Sequence, residues 1–152
     1  MKNELIFLIG PPGCGKSTYA KENFSKDGYV ILSSDEIRKE LLQDETDQTQ
    51  NNLIFDTLYK RMNDALMDNK NVVIDATNIN IKNRGYVFSN LKVSAIKTAL
   101  VFVTPKEVCI KLNKKRERSV PDYVIEKYFK IFEFPTKQEG FDKIEKIHIN
   151  IK

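Results

Sequence analysis

A chain of 152 residues, 41% hydrophobic and with a net charge of +4, is long enough for one domain with a sizeable core. It contains no run of 18 apolar residues, so a membrane span is not expected, and its short apolar N-terminal run lacks the basic flank and small-residue cleavage site of a secretory leader. Cys14 and Cys109 are the only cysteines, too few for a disulfide framework, which points to a reducing cytoplasm.

The first element is an apolar strand, Leu5-Ile6-Phe7-Leu8-Ile9. It runs into Gly10-Pro11-Pro12-Gly13-Cys14-Gly15-Lys16-Ser17, which fits G-x-x-x-x-G-K-[ST] at every fixed position. Glycines let the backbone curl so that successive N–H groups point inward, and the following helix aims its positive end at the same place. Lys16 adds a cation able to reach β- and γ-phosphates, and the Ser17 hydroxyl can ligate Mg²⁺. Gly10, Gly13, Cys14, Gly15, Lys16, Ser17 and Thr18 are the expected ATP-binding residues of this loop. Cys14 is read as a small loop residue, with an oxidisable thiol as the alternative.

The P-loop helix is expected over residues 18–24, stopping near Asp27-Gly28, with a short strand at 29–32. Residues 35–42 have helical spacing, 44–52 read as an exposed polar connection, and 53–67 form an amphipathic helix. A strand at 71–75, a weaker helix at 80–91 and a strand at 97–103 follow. Pro105 and Pro121 are placed just inside the starts of two further helices, and 144–151 reads as the last strand, carrying His148 as an ordinary sheet residue. Phe132, Phe134 and Phe141 are assigned to packing. This alternation predicts an α/β fold, a doubly wound parallel sheet with helices on both faces in one domain over residues 1–152, and the order expected for its five strands is 2-3-1-4-5.

Three further constellations carry chemistry. Asp35 stands three residues past the second strand, at the sheet edge that Lys16 also faces, where a carboxylate can take the proton of an attacking hydroxyl. Arg38 lies one helical turn on and can grip an anionic group. The competing reading makes Ser34 or Asp35 a helix cap and Arg38 a surface charge. Asp75 ends the third strand, where P-loop enzymes keep the carboxylate that organises Mg²⁺; the alternative is a polar strand end. Asn78 is read as a turn residue, and Arg84 as solvated or reaching an acceptor phosphate. Finally, residues 1–104 hold 13 bases and 13 acids, whereas 105–152 hold 12 and 8. The excess centres on residues 111–118, KLNKKRER, read as a lid at about 113–120 whose arginines offset phosphoryl charge, against the alternative of a solvated helix face.

Through GPPGCGKSTYA, SSDEIR, DATNINIKNR and KLNKKRERSVPDYVIEKYFK, the chain resembles the kinase domain of phage and bacterial 5′-hydroxyl polynucleotide kinases over about residues 5–132. The resemblance implies an ATP- and Mg²⁺-dependent enzyme that phosphorylates the 5′-OH of DNA or RNA ends. Lys16 and Ser17 would bind phosphates and Mg²⁺, with Asp75 beside them. Asp35 would be the general base, Arg38 would hold the 3′-phosphate, and Arg116 or Arg118 would act from the lid. The phage enzyme's second, 3′-phosphatase domain carries a D-x-D-G-T motif that this sequence lacks, so that activity is not expected. The competing functions are a small-molecule kinase, whose acceptor pocket the helix with Asp56, Lys60, Arg61 and Asp64 would line, and a slow ATPase switch, which would have no need of Asp35.

Overall fold

Strand β1, Asn3–Ile9, is apolar on both faces because both faces are covered. Its side chains alternate, Leu5, Phe7 and Ile9 to one side and Ile6 and Leu8 to the other, and all five are buried. In the computed structural model, which describes residues 2–117 and 119–149, β1 is the centre of the sheet. Strand β3 (Val72–Asp75) pairs on one side and β4 (Ala95–Phe102) on the other. β2 (Val30–Ser33) and β5 (Lys143–Ile147) form the edges. Every pair is parallel, as the alternation of elements predicted, and the order is β2-β3-β1-β4-β5, the one expected.

Helices α2 (Ser34–Leu42), α3 (Asn51–Met67) and α4 (Ile81–Asn90) cover the Leu5, Phe7 and Ile9 face. They do so through Ile37, Ile54, Leu58, Met62, Leu66 and Val87. Helices α1 (Lys16–Phe24), α5 (Lys106–Lys114) and α6 (Asp122–Ile131) cover the other through Ala20, Cys109 and Ile125. Each fully buried aliphatic side chain in these layers contributes about 1.5–3 kcal/mol. Phe141 packs edge-on to Phe7 and Phe88, with ring centroids 4.9 and 5.0 Å away, and so staples the segment after α6 to the sheet. Phe132 is half-buried against the same layer, whereas Phe134 is exposed under the Lys146 ammonium.

Several boundaries differ from expectation. Helix α3 starts at Asn51, because Ile54 already bonds back to Gln50, so the polar connection is shorter than predicted. Pro105 and Pro121 sit at the N-cap positions of α5 and α6, in extended conformation, one residue before the helices begin. β5 ends with its partner, Phe102 opposite Ile147, which leaves His148 beyond the strand. Residues 150 and 151 of the expected last strand lie outside the described residues. Among the described residues no helix is long and apolar enough to cross a membrane.

Candidate active site

A parallel sheet brings the C-terminal ends of its strands to one edge. Here β1, β2 and β3 end at the P-loop, at Ser33 and at Asp75, and a cleft of about 930 Å³ opens there. Gly13, Gly15, Lys16, Ser17, Thr18, Asp35, Arg38, Asp75 and Arg116 all line it. Most of the sequence-predicted donor and acceptor residues, all but Gly10, Cys14 and Arg118, therefore share one cavity.

The loop depends on its glycines. Gly13 and Gly15 have φ of +79° and +95°, the left-handed region where a side chain is strained. A Cβ on Gly10 would stand 2.7 Å from Cys14 Sγ. Gly10 and Cys14 do not line the cleft; both are buried beneath it, and burial pushes the Cys14 thiol up from its ordinary value. Cys14 is thus a packed small residue, not an accessible thiol. Lys16 is the first residue of α1, and its Nζ donates to the carbonyls of Gly10 and Pro11 at 2.9 and 2.8 Å. Ser17 Oγ donates to Asp75 Oδ2 at 2.6 Å, which sets two oxygen ligand atoms side by side.

On α2 the cap is neither Ser34 nor Asp35 but Ser33, whose Oγ accepts from the Glu36 amide at 3.2 Å. Asp35 is left in the first turn, its side chain 46% exposed, and Arg38 Nη1 donates to its Oδ1 at 2.9 Å. Arg38 is not a surface charge: it is 4% exposed, and its Nη2 donates to Asn51 Oδ1 at 3.0 Å. Its Nε is buried with no hydrogen-bond partner among the described residues. Asn51 had no signal in the sequence, because its role comes from α3 meeting α2.

Arg116 sits just past α5, with Nη1 buried and unpartnered among the described residues. Asn113, 1% exposed, ties the end of α5 to Val120. Its Nδ2 donates to the Val120 carbonyl at 2.6 Å, and its Oδ1 accepts from the Val120 amide at 3.0 Å. Arg118 lies outside the described residues.

Arg84 overturns its expected place. It is fully buried, neither solvated nor in the cleft, because a carboxylate 55 positions away meets it: Nε donates to Glu139 Oε1 at 2.6 Å and Nη2 to Oε2 at 3.2 Å. Its Nη1 donates to the Asn78 carbonyl at 2.9 Å. Asn78 shapes the turn as expected, with φ of +48°, and its Nδ2 donates to the Leu8 carbonyl at 2.7 Å. The turn after Asp75 is therefore locked to β1 from one side and to Glu139 from the other.

A second cavity of about 490 Å³ lies between α3 and α4, sharing Phe55, Ala76 and Thr77 with the first. Asp56 lines it, whereas Lys60 pairs with Asp64 and Arg61 with Glu40 on the outer surface.

A family model described as an AAA domain matches residues 5–135. A protein of Acanthamoeba polyphaga mimivirus assigned as a bifunctional polynucleotide phosphatase/kinase is 31% identical, the match covering 96% of this chain and 33% of that protein. The bifunctional polynucleotide phosphatase/kinase of Schizosaccharomyces pombe is 25% identical over 95% of this chain and 33% of its own. The chain thus spans about a third of the length of the curated relatives it matches. Among solved structures, a chain of the Pnkp1/Rnl/Hen1 RNA repair complex aligns with a TM-score of 0.78 at 26% identity, covering 93% of this chain and 47% of that one. A gluconokinase from Sinorhizobium meliloti 1021 aligns with a TM-score of 0.67 over 98% of this chain and 84% of its own, at 14% identity, a likeness of fold alone. With a nucleotide loop at the head of its central strand and a family model running over residues 5–135, the chain belongs to the AAA domain family.

Proposed function

We propose that this chain is an ATP-dependent polynucleotide kinase that transfers a γ-phosphoryl group to the 5′-hydroxyl of a DNA or RNA end. The observation that carries this reading is the Asp35–Arg38 pair, held at 2.9 Å on the rim of the cleft that Lys16, Ser17 and Asp75 also line. The names of the two curated relatives and of the RNA repair complex agree with it. The five-stranded sheet with a helical layer on each face supports a single kinase domain over residues 1–152, with the lid at about 113–120. Two free cysteines support a cytoplasmic setting.

The residues fit Mg²⁺-ATP on three counts: the glycine cradle at Gly13 and Gly15, the Ser17–Asp75 oxygen pair at 2.6 Å, and the unpartnered Nη1 of Arg116 beside the cleft. Ser17 and Asp75 would hold the ion, which would offset the negative charge of the transferring group. The chain's residues do the rest. P-loop amides cradle the phosphates, and Lys16 turns from the Gly10 and Pro11 carbonyls toward them. Arg38 holds the phosphate on the 3′ side of the attacking nucleoside, a charge-assisted contact. Asp35 accepts the hydroxyl proton as the oxygen attacks the γ-phosphorus, and the bond from that phosphorus to the β–γ bridging oxygen breaks to release ADP. Arg116, from the lid, stabilises the charge on the transferred group.

The test is transfer of labelled terminal phosphate from ATP to 5′-OH oligonucleotides, run beside a panel of sugars and nucleosides. Labelled oligonucleotide whose yield falls steeply with salt supports the proposal. Label on a sugar or nucleoside alone transfers the site to the small-molecule reading, and label on neither removes the kinase reading.

A further inference from the structure

Helix α2 carries Arg38 to the cleft, but α2 alone does not decide where the guanidinium points. A long side chain of several rotamers is fixed only by contacts from more than one side. Nη1 donates to Asp35 Oδ1 at 2.9 Å, one turn back on the same helix. Nη2 donates to Asn51 Oδ1 at 3.0 Å, 13 positions on and from a different helix. Nε is buried with no partner among the described residues, in a side chain that lines the cleft. The two terminal nitrogens are thus held, and Nε is left for a ligand.

Asn51 suits this task in three ways. It is the first residue of α3, whose Ile54 and Leu58 are buried in the core, so a packed helix and not a loop carries it. Its carboxamide has a set orientation: Nδ2 donates to Gln48 Oε1 at 3.2 Å, which leaves Oδ1 to accept from Arg38. And it is neutral. A carboxylate in its place would bind the guanidinium more strongly, and beside Asp35 it would be a second anion competing with an incoming phosphate for one cation. A neutral acceptor fixes direction and leaves the charge of Arg38 available. Helices α2 and α3 have a separate tie on the outer surface, where Arg61 donates to both oxygens of Glu40 at 2.9 Å. Joining the two helices therefore does not require Asn51.

We propose that Asn51 is a positioning residue for the acceptor: it touches neither hydroxyl nor phosphate, and acts by aiming Arg38 at the acceptor phosphate without neutralising it. The inference rests on the kinase reading above.

The experiment uses two 5′-OH oligonucleotides that differ only in the linkage after the first nucleoside, an anionic phosphodiester in one and a neutral methylphosphonate in the other. With the wild-type chain, kcat/KM should favour the phosphodiester by about ten- to a hundredfold, the range of a hydrogen bond to a charged group. In Asn51→Ala this ratio should fall severalfold through a raised KM for the phosphodiester oligonucleotide, with the KM for ATP unchanged. In Asn51→Asp the ratio should fall as well, although shape and hydrogen-bond acceptor are kept; a merely structural tie would be restored by that isostere. Asn51→Asp also keeps the test in hand if Asn51→Ala does not fold. Arg61→Ala, which opens the outer tie between the same helices, should keep the wild-type ratio. A wild-type ratio in either Asn51 variant, an equal fall in Arg61→Ala, or a ratio of one in the wild-type chain overturns the inference and leaves the kinase reading in place. Transfer to neither oligonucleotide overturns both.

Discussion

Replacing Arg84 with methionine keeps most of the side-chain volume and removes the cation. The structure says what is then left. The Glu139 carboxylate, 6% exposed, loses both guanidinium bonds and among the described residues keeps the Thr136 amide at 2.9 Å and its hydroxyl at 3.3 Å. The Asn78 carbonyl loses its donor as well. Removing one partner of a buried ion pair typically costs about 3–5 kcal/mol, because a charge stays buried without compensation. A domain holds about 5–15 kcal/mol in all, so this is a large part of it. At roughly 2–4 °C per kcal/mol for a chain of this size, Tm should fall by about 6–20 °C. Urea unfolding followed by circular dichroism reads the change directly, and Arg84→Met/Glu139→Leu completes the cycle. The double variant should be more stable than Arg84→Met by at least about 1 kcal/mol, since the orphaned charge is gone. Recovery should stay incomplete, because a buried carbonyl without its donor costs about 1–3 kcal/mol. A loss below about 1 kcal/mol in Arg84→Met, or two single losses that simply add, would refute the reasoning.

Other outcomes follow from the same geometry. Asp35→Asn should keep ATP binding, measured by calorimetry, and lose roughly a hundredfold or more in turnover, the usual scale of a general base; near-normal turnover removes Asp35 from the mechanism. Asp75→Asn should raise the Mg²⁺ concentration needed for half-maximal turnover severalfold, because the Ser17–Asp75 oxygen pair loses its charge; an unchanged Mg²⁺ titration contradicts that role. Neither cysteine should react with iodoacetamide at pH 7.5 in the native chain, by mass spectrometry, since burial raises both thiols, Cys109 to about 12. A folded-state value above the ordinary 9.0 means that this contribution to stability is whole below pH 9 and is lost as the pH climbs toward about 12, so urea midpoints should drop across that window.

Local pattern carried the sheet. Apolar runs separated by helical spacing are enough to predict a parallel sheet covered on both faces, because strand–helix–strand crossovers join parallel strands, but they do not by themselves set the order of the strands. The donor half of the site was legible for the same reason: the P-loop is a contiguous motif, and Asp75 ends a strand. What stayed hidden were partners far apart in the chain. Arg84 looked like a surface residue in a polar stretch, Lys82-Asn83-Arg84, until Glu139 arrived from beyond α6. Asn51 looked like part of an exposed connection, and only the packing of α3 on α2 turned it toward Arg38. Asn113 read as one more polar residue in a basic run, and the fold made it the clamp of the lid.

That clamp also bears on how the two halves of the site communicate. A Cβ on Gly13 would stand 3.1 Å from Asn113 Cβ, so the phosphate loop and the base of the lid are in direct contact. Asn113 holds Val120 with both ends of its carboxamide, which fixes where the lid leaves α5 and where it rejoins the chain before α6. The Gly10 amide donates to the Thr77 carbonyl at 3.3 Å, and Asn78 reaches the Leu8 carbonyl at 2.7 Å, so the loop is equally tied to the turn after Asp75. The glycine loop is therefore held between two clasps, Asn113 on one side and the turn at Thr77 and Asn78 on the other. On α2, Asp35 is nearly half exposed and accepts from Arg38 at 2.9 Å, while Arg38 is anchored in turn by Asn51 at 3.0 Å.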